Sequence, residues 1–190
     1  MDIKDKFNNS LGVSKSILMS AVKSGDRVVD CTMGNGNDTE FLCELVGENG
    51  KVYAFDIQEK AILNTKAKLD ISGNLKRASL IKDGHENLDK YISENINAAV
   101  FNLGYLPGED HCITTKCKTT LKAVEKLLGL VAKKGIIVLN IYHGHEEGKL
   151  EKNALYEFCS NLDQKEYNVF RTEFINQVNC PPELIVIEKR

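Results

Sequence analysis

Two β-rich runs close the chain, at 167–174 and 183–188, and the segment between them is too short to hold a helix and its two connections. Parallel neighbours in a sheet need a crossover of a dozen or more residues, so these two runs should pair antiparallel. Everything before them follows a different rule, with apolar runs alternating with helical periodicity. A helix over 14–23 stops at Ser24-Gly25-Asp26, and a strand at 27–31 follows. Next come a helix through Phe41, Leu42, Leu45 and Val46, a strand at 51–56 and a helix at 59–71 ended by Gly73. Strands at 78–82, 98–102 and 135–141 follow, with helices at 115–130 and 149–162. This order predicts an α/β protein with a doubly wound, mostly parallel seven-stranded sheet that ends in an antiparallel hairpin. With no repeat, linker or low-complexity segment in 190 residues, one domain over 1–190 is expected.

Composition narrows the classes. Hydrophobic residues at 42% and charged residues at 27% are those of a globular core, not of a disordered chain. None of the six cysteines forms a CxxC pair, and Cys112 and Cys117 are spaced too widely for a usual zinc site. The cysteines read as free thiols of a reducing cytosol, and no metal is expected. Residues 1–10 lack the apolar stretch of a signal peptide, and no run reaches the length of a membrane span. A cytoplasmic protein with no membrane partner is therefore expected. The formal net charge of −2 means that any RNA would have to be held by a local basic surface.

The most specific segment is Val28-Val29-Asp30-Cys31-Thr32-Met33-Gly34-Asn35-Gly36-Asn37-Asp38-Thr39. It runs from strand to helix through Gly34 and Gly36, where missing side chains let the backbone turn tightly and approach a ligand. The third glycine of the dinucleotide fingerprint is absent, with Thr39 in its place, while an acid, Asp30, precedes the loop. That arrangement resembles methyltransferase motif I and implies S-adenosyl-L-methionine as cofactor, held by Asp30, Thr32, Gly34, Asn35, Gly36, Asn37, Asp38 and Thr39. Asp30 can accept hydrogen bonds from the amino-acid part of such a cofactor, directly or through water, or it can simply end the strand or cap the helix. Asp56 lies twenty residues beyond Gly36, where a carboxylate accepts both ribose hydroxyls of a nucleoside. Ile57 and Gln58 follow it, an apolar residue there being suited to an adenine face. The next strand ends in Asp83-Gly84-His85, where class I methyltransferases commonly place an acid for the adenine amino group. The missing glycine and the terminal hairpin both disfavour an NAD-linked dehydrogenase.

The fourth strand ends in Phe101-Asn102-Leu103-Gly104-Tyr105-Leu106-Pro107-Gly108. This resembles the Asn/Asp-Pro-Pro-Tyr segment of amino-group methyltransferases, with Leu103 and Gly104 standing where prolines would be. Asn102 and Leu103 would border the cofactor, Asn102 would accept hydrogen bonds from an amine, and Tyr105 would stack on a flat substrate. Together with Tyr142-His143-Gly144-His145 and Asn179-Cys180-Pro181-Pro182, the segment is similar to a small bacterial family labelled rRNA methylases and related to the YtqB proteins. The resemblance spans essentially the whole chain. It implies a Rossmann-like class I methyltransferase acting on RNA, with family members assigned to the aminomethyl group of 5-aminomethyl-2-thiouridine at the tRNA wobble position. Methylation of rRNA or of a small amine, or a non-catalytic binding module, are the competing readings.

An aliphatic amine is mostly protonated near neutral pH and must lose a proton before it attacks. Asp110, His111, His143 and His145 are candidate acceptors, with His143 favoured beside the end of the fifth strand; the alternatives for the His-x-His pair are phosphate binding, helix capping or a metal site, the last disfavoured because no third ligand is in view. Lys118, Lys122 and Lys126 recur at helical spacing and form either a phosphate-binding stripe for a tRNA anticodon arm or a solvated helix face. The connection 176–182 can supply base-reading groups. A homodimer would extend such a surface.

Overall fold

The structure is a computed structural model and describes residues 7–104 and 114–190. Its elements are α1 (Ser10–Ala21), β1 (Arg27–Asp30), α2 (Asn37–Val46), β2 (Lys51–Asp56), α3 (Glu59–Ile71), β3 (Ala78–Lys82) and β4 (Ile96–Leu103). They continue with α4 (Cys117–Leu130), β5 (Val131–Ile141), α5 (Glu146–Ser160), β6 (Tyr167–Thr172) and β7 (Glu183–Lys189). The seven strands lie in one sheet in the order β3-β2-β1-β4-β5-β7-β6. The first five are parallel, and β7 runs antiparallel between β5 and β6. Chain order reverses between β1 and β4, and open sheets of this kind bind ligands in the crevice beyond such a point.

Strand alternation divides the core in two. Val29, Ala99, Phe101 and Ile137 face the layer made by α4 and α5, where Leu127 and Leu155 pack. Val28, Ala98, Val100 and Val138 face the other way, toward Leu18 of α1, Phe41 and Leu42 of α2 and Leu69 of α3. Central strands covered on both faces read as continuous apolar runs, and residues 98–101 of β4 are buried without a gap.

Several boundaries differ from the sequence expectation for local reasons. Helix α1 starts at Ser10 because the Asn9 side chain accepts the Gly12 N–H at 2.9 Å. Strand β5 begins directly after α4, four residues before the expected start, and bends through Lys134 at φ 65°. Gly135 is required there, since a Cβ would lie 2.8 Å from the Asn97 carbonyl oxygen. Helix α5 starts at Glu146, where His145 Nδ1 accepts the Gly148 N–H at 3.1 Å. Among the described residues no helix is long and apolar enough to cross a membrane.

Leu127 is fully buried between the sheet and α4. Leu127→Ala should cost about 2–5 kcal/mol of stability through lost burial and a residual cavity, read as a lowered urea midpoint with an unchanged slope.

Candidate active site at the carboxyl ends of the central strands

A cavity of about 510 Å³ opens over the ends of β1, β2 and β4. Its shape begins with the turn after β1. Gly34 and Gly36 adopt φ of 49° and 77°. A Cβ on Gly36 would sit 2.8 Å from Thr65 Oγ1 and 3.0 Å from Thr65 Cα, so only glycine lets α3 close on the loop. Thr65 Oγ1 donates to the Gly34 carbonyl at 3.1 Å, and Met33 N–H donates to the Phe55 carbonyl at 2.9 Å. The loop is thereby fixed to β2 and α3.

Asp30 does not face the cavity. It is fully buried, with Oδ1 accepting the Thr32 N–H at 3.1 Å and Oδ2 the Thr39 hydroxyl at 2.6 Å. Burial, reinforced by the nearby Asp38 charge, pushes its carboxyl up to about 7 against these two hydrogen bonds. Both oxygens are engaged by the loop itself, and Asp30 lies beneath the cavity rather than on its lining. Thr39 and Gly36 are buried with it and shape the loop without lining the cavity. Thr32, Gly34, Asn35, Asn37 and Asp38 do line it.

Asp56 accepts the Gly34 N–H at 3.0 Å on one oxygen and the Gln58 N–H at 2.9 Å on the other. A carboxylate has about four acceptor directions, so two remain for vicinal hydroxyls. Ile57, 59% exposed, lies beside it at the cavity wall together with Gln58. Asp83 and Gly84 form the next part of the wall. Partial burial acts to raise the Asp83 carboxyl, but hydrogen bonds from Asn87, Tyr91 and Gly84 win and hold it below the usual range. His85 is buried, and its Nδ1 lies 3.0 Å from the Cys31 carbonyl, so the proton sits on Nδ1. Burial lowers its pKa, leaving a neutral ring whose Nε2 is an acceptor with no hydrogen-bond partner among the described residues.

At the end of β4 the Asn102 N–H donates to Thr32 Oγ1 at 2.7 Å, and its side-chain Nδ2 donates to Asp38 Oδ2 at 2.8 Å. An ionised carboxylate only accepts, so Asp38 fixes which end of the amide is which. Asn102 Oδ1 is left as a buried acceptor without a partner among the described residues, on a side chain that lines the cavity. Lys15 Nζ, 3.5 Å from Asp38 Oδ1 and above the Phe41 ring, offsets the carboxylate charge.

Two further expected residues are not brought to the cavity. The Leu103 side chain is fully buried in the α4/α5 layer, and only its backbone serves the site, its carbonyl accepting the Tyr142 N–H at 3.0 Å. His143 lies off the lining, with Nε2 3.1 Å from Glu183 Oε1, the oxygen that also takes Lys152 Nζ. Tyr105, Asp110, His111 and Cys112 fall outside the described residues. Phe55 and Tyr142 bring aromatic rings to the wall, and the Tyr142 Cβ would stand 3.3 Å from a Cβ on Gly104. Tyr142 and Thr115 are lining residues that sequence reasoning missed, although Tyr142 directly follows the end of β5. Lys118 and Lys122 are exposed on α4, whereas Lys126 is committed to Asp89 and the Glu86 carbonyl, both at 2.6 Å. Among the described residues no three His, Cys, Asp or Glu side chains gather as metal ligands do.

Because the Asp30 carboxyl is raised from its ordinary 3.8 to about 7, the folded chain binds this proton more tightly than the unfolded chain does. Its stabilising contribution is complete below pH of about 4 and is lost as pH rises through about 7. Wild-type melting temperature should therefore fall relative to Asp30→Asn across that window; a pH-independent difference would count against the buried titration.

A family model described as "Putative rRNA methylase" matches residues 52–188. A crystal structure from Clostridium thermocellum, titled with the same activity, is 52% identical over the whole of both chains with a TM-score of 0.94. A methyltransferase structure from Streptococcus mutans, in complex with SAH, is 40% identical over all of both chains with a TM-score of 0.87. The chloroplastic "tRNA (mnm(5)s(2)U34)-methyltransferase" of Arabidopsis thaliana is 32% identical over 188 residues, which is 94% of this chain and 68% of that protein. The acid-lined cavity at the switch point and these relatives agree, and the chain belongs to the rRNA methylase family of S-adenosylmethionine-dependent methyltransferases.

Proposed function

We propose that this RNA methyltransferase acts on the exocyclic aliphatic amine of 5-aminomethyl-2-thiouridine at the tRNA wobble position. The family supports RNA as the substrate class, and the name of the Arabidopsis relative supports the nucleoside. One observation carries the amine chemistry: Asp38 holds the Asn102 amide so that Oδ1 is left as a buried acceptor without a partner among the described residues, on a side chain that lines the cavity. When bound, S-adenosylmethionine supplies a methyl on an already activated sulfonium, so the protein's task is alignment and exclusion of water. Asp56 suits the ribose hydroxyls, exposed Ile57 and Gln58 the adenine face, and Asp83, Gly84 and His85 the adenine edge. The loop residues Thr32, Gly34, Asn35, Asn37 and Asp38 border the remaining polar part. Asn102 accepts a hydrogen bond from the amine and directs its lone pair, with Tyr105 assigned to stacking on the base. His143 is assigned to anchoring the loop after β5 on Glu183.

Exposed Lys116 at the cavity rim continues along α4 into Lys118 and Lys122, a short basic track suited to anticodon-arm phosphates. The connection before β7 exposes Ile175 and Val178 almost fully, an apolar surface for a base or for a second copy of the chain in a homodimer.

The test is incubation with labelled S-adenosylmethionine and bulk bacterial tRNA or rRNA, followed by digestion to nucleosides. Label in 5-methylaminomethyl-2-thiouridine is the expected result; label confined to an rRNA nucleoside would overturn the tRNA assignment. Asn102→Ala should retain cofactor affinity and lose about a hundredfold in turnover. Unchanged turnover would remove Asn102 from the mechanism.

A further inference from the structure

The amine reading leaves one requirement unmet, since the substrate ammonium must give up a proton and the favoured histidine, His143, lies off the cavity beside Glu183. The described lining holds a different route. Thr115 lines the cavity, and its N–H donates to the Gly104 carbonyl at 3.0 Å, which sets it against the strand end that carries Asn102. Its hydroxyl points inward and donates to Glu151 Oε2 at 2.8 Å. Glu151 stands on α5, 1% exposed, and its other oxygen accepts the Thr120 hydroxyl at 2.6 Å. Next to Thr115, Thr114 Oγ1 is buried at the same wall without a partner among the described residues.

A carboxylate buried against two neutral hydroxyls is an expensive way to join two helices, because neither partner offsets its charge. That cost points to a use. We propose that Glu151 receives the proton of the substrate ammonium through the hydroxyl of Thr115, a step that rests on the amine reading above. The ammonium N–H bond breaks and its proton goes to Thr115 Oγ1, as the hydroxyl's own proton passes to Glu151 Oε2. A cation and a carboxylate become a neutral amine and a carboxylic acid, so charge balances. Product departure lets Glu151 return the proton to water.

Burial raises the Glu151 carboxyl above the usual range against the hydrogen bonds from Thr120 and Thr115, which makes it a stronger base than a surface glutamate. The titratable groups that face it are Glu147, one turn earlier on α5, and the Cys117 thiol on α4. Glu147 adds to the upward shift.

The experiment measures single-turnover methyl transfer to tRNA bearing 5-aminomethyl-2-thiouridine, between pH 6 and 9, for wild type, Glu151→Gln, Thr115→Val and Thr115→Ser. Glu151→Gln should transfer about a hundredfold more slowly at pH 7 with KM values for cofactor and RNA unchanged. Its deficit should narrow as pH rises, because bulk solvent then deprotonates the amine without help. Thr115→Val should behave likewise, and Thr115→Ser should recover most of the lost rate. A wild-type rate in Glu151→Gln, or a deficit equal at every pH, overturns the relay and leaves a helix clamp. No transfer by the wild-type protein overturns the amine reading itself, and the relay with it. A readout independent of activity is the carboxyl carbon resonance of Glu151 in the protein alone. Thr115→Val should move its titration upward, and an unmoved titration overturns the coupling of the two groups.

Discussion

The buried carboxylate of Asp30 ties the site together. It takes one hydrogen bond from Thr32, two residues on, and another from Thr39, nine residues on in the first turn of α2. Holding both ends of the loop sets two further positions. Thr32 Oγ1 becomes the acceptor for the Asn102 N–H, and Asp38, next to Thr39, becomes the acceptor for the Asn102 side chain. The loop after β1 and the end of β4 are thus one hydrogen-bonded unit spanning the switch point. Burial outweighs the hydrogen bonds at Asp30, as its pKa near 7 shows, so this organisation is held at some cost in stability. Functional loops are often maintained in this way.

The electrostatics of the cavity suit cations better than phosphates. Asp38, Asp56 and Asp83 line it, and Asp30 lies just beneath. A sulfonium and an ammonium both carry positive charge and are drawn into such a field. RNA phosphates are repelled by it, and the exposed lysines stand outside, at the rim and along α4. The division is sequence-readable in part, since three acids end three successive strands. It is compatible with the proposed action of a chain of net charge −2 on RNA, with the base at the cavity and the phosphates at the basic rim.

The fold was legible because periodicity and connection length leave few options. Alternating strands and helices required a parallel sheet, and the ten residues between β6 and β7 required a hairpin. The site was legible in its positions more than in its contacts. An acid at the end of β1 reads either as a ligand-facing group or as a cap, and in the fold both Asp30 oxygens accept from its own loop and the helix that follows. The histidine after β5 reads as a catalytic base, but β7 brings Glu183 alongside it, a contact 40 residues away in sequence. Glu151 looks like part of a solvated charged helix when taken alone. Its spacing says otherwise, because Gly148, Glu151, Leu155 and Cys159 are the buried residues of α5 and recur at intervals of three and four. Lys126 shows the converse, a member of an apparent surface stripe that an acid on a neighbouring turn has claimed.

The choice of asparagine over aspartate at position 102 follows from the same chemistry. A carboxylate there would face Asp38 at hydrogen-bond distance, and two like charges so close would force one of them to stay protonated. Even if both ionised, a second anion beside the amine would favour the ammonium form, which has no lone pair to give. The amide avoids both problems. Its NH₂ end is satisfied by Asp38, and in the proposed reaction its carbonyl is a neutral acceptor that stabilises an ammonium less than a carboxylate would. A neutral acceptor cannot take the proton away, so alignment and proton removal have to be performed by different groups. The buried carboxylate on α5, reached through Thr115 beside the end of β4, is the group proposed for the second task.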